Sequence, residues 1–167
     1  MIDFTKEEAI ARPGSFSAFD MEVIHKFVKD LKKDDVYLEV GVQYGRSLDF
    51  VRRNSEAQVY GIDITDELFV GDIPGATFIV KESNEAVKDW DKQIDVLFID
   101  ADHSYEGCLD DWNNFSPFVK KGGWVVFHDC DETSPGVVRV FDEIGRGWKN
   151  KGKSPEQRCS MAWVQKS

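Results

Sequence analysis

The chain has 167 residues, of which 41% are hydrophobic and 31% charged, and this composition is typical of a globular protein rather than a disordered one. The length predicts a single domain over residues 1–167, large enough to bury a core without disulfides or metal ions as supports. The net charge of −10 disfavours nucleic acid as a partner, because an acidic surface repels phosphate.

The sequence also bears on the compartment in which the protein works. No apolar run approaches the length of a membrane span, and the start MIDFTKEEAI is too acidic for a secretory signal. The three cysteines, Cys108, Cys130 and Cys159, have no CxxC spacing and are interpreted as reduced thiols. We therefore expect a cytoplasmic protein that acts on a small molecule and involves no membrane.

Strands and helices alternate along the chain from about residue 16 onwards. The pattern predicts helices over 16–31, 45–54, 84–90, 105–119 and 136–148. It predicts strands over 36–40, 58–63, 76–80, 94–100, 122–129 and 158–165. This alternation predicts an α/β fold, a Rossmann-like, doubly wound, mostly parallel sheet within a three-layer α/β/α sandwich.

Polar and glycine residues follow five of the predicted strands, at the carboxyl ends where sheets of this kind bind ligands. In chain order these residues are Glu39, Gly41 and Gly45; Asp63; Glu82, Ser83 and Asn84; Asp100, Ala101, Asp102 and His103; and His128 and Asp129. Each of them alone could be an ordinary loop residue, because loops are exposed to water. Their joint occurrence predicts a ligand site at this edge of the sheet.

The first strand end has features of a nucleoside site. Gly41 and Gly45 flank a strand-to-helix turn, where glycine accepts a positive φ and lets the backbone approach a ligand. The G-x-x-x-G spacing differs from the dinucleotide fingerprint G-x-G-x-x-G, and Gln43 would hinder a pyrophosphate. Asp63 can accept hydrogen bonds from both ribose hydroxyls, or it can cap a following helix. The pattern favours a nucleoside over NAD.

Asp100, His103, His128 and Asp129 converge from two neighbouring strand ends, which suits a divalent metal ion or a general base. Mg²⁺ prefers oxygen ligands, so the two carboxylates are better ligand candidates than His128. His103 titrates near neutrality and can remove a proton from a substrate hydroxyl. The alternative is a polar cluster that only stabilises loops. Two of the three histidines occur here, which favours a functional site.

The segments YLEVGVQYGRS, VYGID and FIDADHSYEGCLDDWNNFSPFVKKGGWVVFHD resemble class I S-adenosylmethionine-dependent methyltransferases. The most similar subgroup is the small-molecule and sugar O-methyltransferases with the fourth-strand motif I-D-x-D-H-x-Y-E. The likeness covers about residues 36–141. It implies a transferase of class EC 2.1.1.- that methylates a hydroxyl on a small molecule such as a sugar or glycoside.

The resemblance also implies roles for individual residues. The implied contacts with S-adenosylmethionine are Glu39, Gly41 and Gly45 on the methionine and ribose, Asp63 on the ribose hydroxyls, Ser83 beside the adenine, and Asp100 and Ala101 near the sulfonium. It implies a divalent metal such as Mg²⁺ on Asp100, His128 and Asp129, with His103 as the base. His128 replaces an acid of the related enzymes, which leaves open whether a metal is needed and whether it is a softer ion.

Three other functions remain open from the sequence: an NAD-linked oxidoreductase, a hydroxylase-like metalloenzyme on the same fold, and a non-catalytic cofactor-binding subunit. Gln43 and the lack of a Tyr-x-x-x-Lys pair speak against the first. Residues 1–17 are expected to form either a lid over the site or an N-terminal extension. A second copy of the chain, in a homo-oligomer, could also complete the substrate pocket.

Overall fold

The computed structural model describes residues 12–66, 73–144, 148–155 and 160–167. Residues 1–11 of the predicted lid, and Cys159 in the predicted last strand, lie outside the described residues. Within these ranges, no helix combines the length and the apolar character that crossing a membrane requires.

Within the described ranges, a seven-stranded sheet forms the centre of the protein, with the strand order β3-β2-β1-β4-β5-β7-β6. The strands are β1 Val36–Val40, β2 Gln58–Asp63, β3 Ala76–Val80, β4 Ile94–Ile99, β5 Val119–Phe127, β6 Lys149–Lys153 and β7 Ala162–Gln165. Strands β1 to β5 run parallel, whereas β7 pairs antiparallel with both β5 and β6. The predicted mostly parallel, Rossmann-like sheet is confirmed.

Helices cover both faces of this sheet. They are α1 Ala18–Val28, α2 Arg46–Asn54, α3 Ser83–Ala86, α4 Tyr105–Phe115 and α5 Pro135–Ile144. Apolar residues of α1 and α2 belong to one buried cluster, and those of α3, α4 and α5 belong to another on the opposite face. The predicted three-layer sandwich is therefore confirmed.

Strand β4 shows why the strands have continuous apolar sequences. Val96 and Phe98 belong to the cluster under α1 and α2, whereas Leu97 and Ile99 belong to the cluster on the other face. Successive side chains of a strand point to opposite faces, so a sheet covered on both sides buries every position. Full burial of such a side chain stabilises the fold by about 1.5–3 kcal/mol.

The observed elements differ from the predicted ones after α4. The predicted helix over 105–119 ends at Phe115, because Ser116–Phe118 form a 3-10 turn that contains Pro117, which has no amide hydrogen to donate. Strand β5 consequently begins at Val119, three residues earlier than predicted. Strand β6 was not predicted, because its residues lack apolar alternation; they are mostly exposed on the edge of the sheet.

Backbone hydrogen bonds extend the sheet by one residue beyond the ends of its central strands. The amide of Asp100 donates to the carbonyl oxygen of Val40 at 2.9 Å, and the amide of His128 donates to that of Ile99 at 3.0 Å. The loops after β1, β4 and β5 therefore leave the sheet side by side. The strand order reverses between β1 and β4, which is where open α/β sheets bind ligands.

Candidate active site

The turn between β1 and α2 has the backbone that its glycines predicted. Gly41 has a φ of 88° and Gly45 a φ of 78°, both in the left-handed region that favours glycine. A Cβ atom at position 41 would lie 2.3 Å from the carbonyl oxygen of Asp100. Glycine is therefore required at position 41 both by the backbone conformation and by the close approach of the loop after β4.

The carboxylate of Asp63, at the end of β2, holds the same turn. Its Oδ2 accepts hydrogen bonds from the amides of Val42 and Gln43, each at 2.8 Å. Its Oδ1 accepts a hydrogen bond from the amide of Thr65 at 3.0 Å. The oxygens of Asp63 thus lie at the glycine turn, and Asp63 also lines the cavity described below. Its role toward ribose hydroxyls stays a prediction.

Glu39 lies beneath the turn and does not line the cavity. Its side chain is fully buried, with Oε2 accepting from the Tyr37 hydroxyl at 2.8 Å and Oε1 from the Ser47 hydroxyl at 2.5 Å. Burial raises the pKa of Glu39 to about 8, although the two hydroxyl donors oppose this rise. The hydrogen bond with Ser47 connects β1 to α2 in this structure, and the predicted contact of Glu39 with the cofactor stays a prediction.

Asp100, His103 and Asp129 meet where β4 and β5 end. One ligand atom from each of these side chains lies within 4.8 Å of the other two. The Nε2 atom of His103 is 3.3 Å from Oδ2 of Asp129 and 3.6 Å from Oδ1 of Asp100. Asp129 has a φ of 49°, and its Oδ1 accepts a hydrogen bond from the Ser160 hydroxyl at 3.1 Å. The structure thus assembles a carboxylate–imidazole group from two separate loops.

His128 lies behind this group and is only 5% exposed. Its Nδ1 is 3.3 Å from Oδ1 of Asp100 and 3.2 Å from Oδ2 of Asp129. Its Nε2 is 3.5 Å from Oδ2 of Asp20, a buried residue of α1. These separations are those of ion pairs; none of the three contacts has hydrogen-bond geometry. The ring is surrounded by three carboxylates in the protein interior.

The carboxylates favour the charged forms of both histidines. Burial alone lowers the pKa of His128, but Asp100, Asp129 and Asp20 together raise it far above the ordinary value for histidine. The contact with Asp100 is the main reason why the pKa of His103 is raised. Conversely, the contact with His128 lowers the pKa of Asp129 to about 2. These shifts favour the carboxylate form of Asp129 and the imidazolium form of His128.

The strand ends line a cavity of about 830 Å³ at the carboxyl edge of the sheet. This volume lies in the range of about 300–1,000 Å³ that is typical of small-molecule sites. Taken across the sheet from β3 to β5, the lining includes Ser83, Asp63, Gly41, Asp100 with Ala101 and His103, and Asp129. Most of the predicted site residues line this cavity. The predicted site residues outside the lining are Glu39, Gly45 and His128.

The segment 13–16, within the predicted lid, forms part of the cavity wall. Arg46, at the start of α2, donates hydrogen bonds to the carbonyl oxygens of Arg12 and Phe16. Arg12 in turn pairs with the buried carboxylate of Asp49 at 2.8 Å. These contacts attach the segment to α2. Whether it opens and closes as a lid stays a prediction.

Two buried acids of the site were not identified from the sequence. Asp20 on α1 and Asp111 on α4 are each 3% exposed, and Asp111 lines the cavity. Ser17 and Asp20 form a capping box, in which each side chain accepts a hydrogen bond from the other residue's amide. This local pattern signals a helix start, but it does not reveal that α1 reaches the end of β5.

The group of Asp100, His103 and Asp129 fits a divalent cation, because it offers two carboxylates and one imidazole within a small space. Such a mixed donor set suits transition ions as well as Mg²⁺. The predicted third ligand was His128, which approaches the carboxylates from the buried side, whereas His103 approaches them from the cavity. Metal binding by either set stays a prediction.

Comparison with known proteins assigns residues 38–130 to a family described as "Methyltransferase domain". A similar curated protein, an uncharacterized protein of Acanthamoeba polyphaga mimivirus, is 27% identical over 73% of this chain. The match covers 65% of the viral protein, so the chain spans less than two thirds of that relative's length.

Solved structures share the fold at low sequence identity. One is the MycE methyltransferase from the mycinamycin biosynthetic pathway in complex with Mg and SAH, with a TM-score of 0.71 and 16% identity over 96% of this chain and 53% of MycE. Another is a SAM-dependent O-methyltransferase from Thermotoga maritima, with a TM-score of 0.70 and 16% identity over 99% of this chain and 70% of that one. At these identities the likeness concerns the fold.

Proposed function

Because the chain belongs to this methyltransferase-domain family, we propose that it transfers a methyl group from S-adenosylmethionine to a hydroxyl group of a small molecule. The observation that carries the proposal is the order of side chains along the cavity. A glycine turn with Asp63 is followed, across the sheet, by the carboxylate–imidazole group of Asp100, His103 and Asp129. The first part suits a nucleoside, and the second suits a hydroxyl that must lose its proton.

The cofactor contacts of the proposal follow the strand order. The turn at Gly41 and the carboxylate of Asp63 would bind the ribose. Ser83, which follows β3, would lie beside the adenine. Asp100 and Ala101 follow β4 and lie near the sulfonium. Gly45 and Glu39 support these contacts without lining the cavity. Gly45 allows the left-handed backbone of the turn, and Glu39 accepts a hydrogen bond from Ser47 of α2.

The reaction requires one bond to break and one to form. The bond between the methyl carbon and the sulfonium breaks with its electron pair on sulfur, and the acceptor oxygen forms a new bond to that carbon. The hydroxyl proton passes to Nε2 of His103 in its neutral form, and the carboxylates of Asp100 and Asp129 stabilise the resulting imidazolium. Alignment of the two reactants supplies most of the acceleration, and the base adds about 10²–10⁴-fold.

A divalent cation such as Mg²⁺ is part of the proposal. Asp100 and Asp129 would hold it, and the third ligand would be a ring nitrogen of His128 or His103 once that ring is in its neutral form. Such a cation lowers the pKa of a bound hydroxyl and so assists its deprotonation. A His103 ring that holds the metal cannot also take the proton, so the two roles of His103 exclude each other.

The acceptor in this proposal is a small hydroxylated molecule such as a sugar or glycoside. The net charge of −10 disfavours a polyphosphate acceptor such as nucleic acid. Near His103, the cavity is lined by the carboxylates of Asp102 and Glu106, which can accept hydrogen bonds from several hydroxyls. This donor–acceptor match supports a polyhydroxylated acceptor.

Isothermal titration with S-adenosylmethionine tests the proposal, first alone, then with Mg²⁺ and then with a chelator. We expect saturable binding that Asp63→Ala abolishes and that Asp66→Ala, an exposed acid of the same loop, leaves intact. Binding of NADH in place of S-adenosylmethionine would favour an oxidoreductase, and a retained redox metal would favour a hydroxylase. Absence of S-adenosylmethionine binding under all three conditions overturns the proposal.

A further inference from the structure

Asp111 is a buried carboxylate of the cavity that the proposed reaction leaves unused. It lies on α4, is 3% exposed and lines the cavity next to α3. We infer that Asp111 accepts a hydrogen bond from the exocyclic amino group of the cofactor's adenine and thereby selects adenine over 6-oxopurines. This inference rests on the proposed use of S-adenosylmethionine.

The surroundings of Asp111 do not explain why a carboxylate is buried there. Burial raises the pKa of Asp111 to about 6, and the nearby Ser83 hydroxyl offsets this rise only in part. Asp102 and Asp110 raise the pKa further by charge repulsion. Among the described residues, no basic side chain pairs with Asp111. A buried charge without a cation is costly, so its presence points to a donor supplied by a ligand.

The position of Asp111 follows from the way a nucleoside must lie in the cavity. In the proposed function the ribose would lie at Asp63 after β2, and the group that receives the acceptor proton lies after β4 and β5. The base and the 5′ substituent of a nucleoside extend to opposite sides of the ribose. If the sulfonium on the 5′ carbon extends toward Asp100, the base extends toward β3, where Ser83 and Asp111 both line the cavity.

The contact between α3 and α4 holds this end of the cavity in place. The side-chain amide of Asn114 donates to the side-chain oxygen of Asn84 at 2.7 Å, which joins the two helices next to Ser83 and Asp111. The nearby Asp102 has its own partner, because its Oδ1 accepts a hydrogen bond from the amide of Ser104 at 2.8 Å. We therefore assign the hydrogen bond to the adenine to Asp111 and not to Asp102.

The chemistry of the purine explains the selectivity. The 6-amino group of adenine donates hydrogen bonds, whereas the 6-oxo group of hypoxanthine presents lone pairs that a carboxylate repels. A hydrogen bond to a charged acceptor is worth about 10- to 100-fold in affinity. Discrimination against the 6-oxo analogue is the property that this contact confers, and a carboxylate that only stabilises the fold would not produce it.

The experiment compares S-adenosylhomocysteine with S-inosylhomocysteine, which has a 6-oxo group and an N1 hydrogen where adenine has the 6-amino group and a bare N1, by isothermal titration. The variants are Asp111→Asn and, as the control, Asp142→Asn, which makes the same change at an exposed position of α5 outside the cavity lining. Wild type and Asp142→Asn are expected to bind the adenosyl compound about 10- to 100-fold more tightly. Asp111→Asn is expected to lose most of this preference, because its amide can donate to a 6-oxo group.

Two results would overturn the inference: a wild-type protein that binds both compounds equally well, or an Asp111→Asn protein that keeps the wild-type preference. Equal binding of the two compounds by the wild type overturns the inference even if the variant does not fold. A wild type that binds neither compound overturns the proposed function and this inference together. Failure of the inference alone is distinguished from that result by tight binding of both compounds.

Discussion

Asp20 of helix α1 faces His128 at the end of β5 in the protein interior, with Oδ2 of the acid 3.5 Å from Nε2 of the ring. Both side chains are almost completely buried. The other ring nitrogen of His128 faces Asp100 and Asp129, the carboxylates of the candidate site. The placement of these carboxylates therefore depends on a helix that precedes the whole sheet in the sequence.

Asp20→Asn is expected to destabilise the protein while preserving the start of α1. The new amide oxygen can still accept the hydrogen bond from the amide of Ser17, but the charge opposite His128 is lost. Removing one partner of a buried ion pair costs about 3–5 kcal/mol. Since Asp100 and Asp129 still face the ring, we expect a loss of about 1–3 kcal/mol in urea denaturation.

Ser17→Ala is the matched control for this prediction. It removes the side-chain cap of α1, which costs about 1 kcal/mol, and leaves the charges around His128 unchanged. We expect Asp20→Asn to reduce the apparent affinity for S-adenosylmethionine as well, whereas Ser17→Ala changes only stability. Equal behaviour of the two variants would mean that the pair with His128 contributes nothing.

Gly41→Ala is expected to disrupt the turn between β1 and α2, whereas Gly122→Ala is expected to have a mild effect on stability. Both glycines have a similar positive φ, 88° and 84°, so alanine meets the same backbone strain of about 1–2 kcal/mol at either position. A Cβ at Gly122 would meet open space, but one at Gly41 would collide with the backbone of Asp100. Urea denaturation and titration with S-adenosylmethionine should show the larger stability loss, and the loss of binding, only for Gly41→Ala.

His103→Ala is expected to lower kcat by about 10²–10⁴-fold, because the acceptor hydroxyl loses its base. Binding of S-adenosylmethionine should change little, since the proposed function assigns His103 to the acceptor and not to the cofactor. His25→Ala serves as the control, because it removes a histidine of α1 that does not line the cavity. The readout is formation of S-adenosylhomocysteine with the best acceptor from a panel of sugars and glycosides. Full activity of His103→Ala would remove the base assignment.

Glu39 should make the protein less stable as the pH rises. Folding raises its pKa from the ordinary 4.5 to about 8 because the side chain is buried. A group whose pKa is raised on folding contributes its stability fully below the unfolded pKa and loses it as the pH rises through the folded pKa. The unfolding free energy of the wild type should therefore fall between about pH 4.5 and pH 8.

Glu39→Gln should remove this part of the pH dependence, because its amide can remain between the two hydroxyls without charge. At pH 9 the variant should be more stable than wild type by up to the order of 4 kcal/mol. Glu56→Gln, on an exposed side chain, controls for the loss of a charge at the surface. Urea denaturation from pH 5 to 9 measures the difference, and parallel curves for wild type and Glu39→Gln would contradict the expectation.

The local sequence determined the five parallel strands and the positions of the polar residues that follow them. Strands buried on both faces need continuous apolar runs, and such runs stand out from polar neighbours. The positive φ angles at Gly41 and Gly45 were likewise predictable, because glycine at a strand-to-helix turn is itself a backbone signal. The ends of parallel strands share one edge, which is why residues far apart in the sequence could be placed together.

Only the tertiary structure decided which of these residues face the cavity and which lie beneath it. Glu39 and His128 follow the pattern of site residues, yet helices cover both, and their partners come from other parts of the chain. The contacts of Asp20 with His128 and of Asp111 with Ser83 join elements that no local pattern relates. Strand β6 exists because β7 offers it a free edge. Local periodicity determines where strands and helices form, whereas the partners of a buried charge depend on how those elements pack.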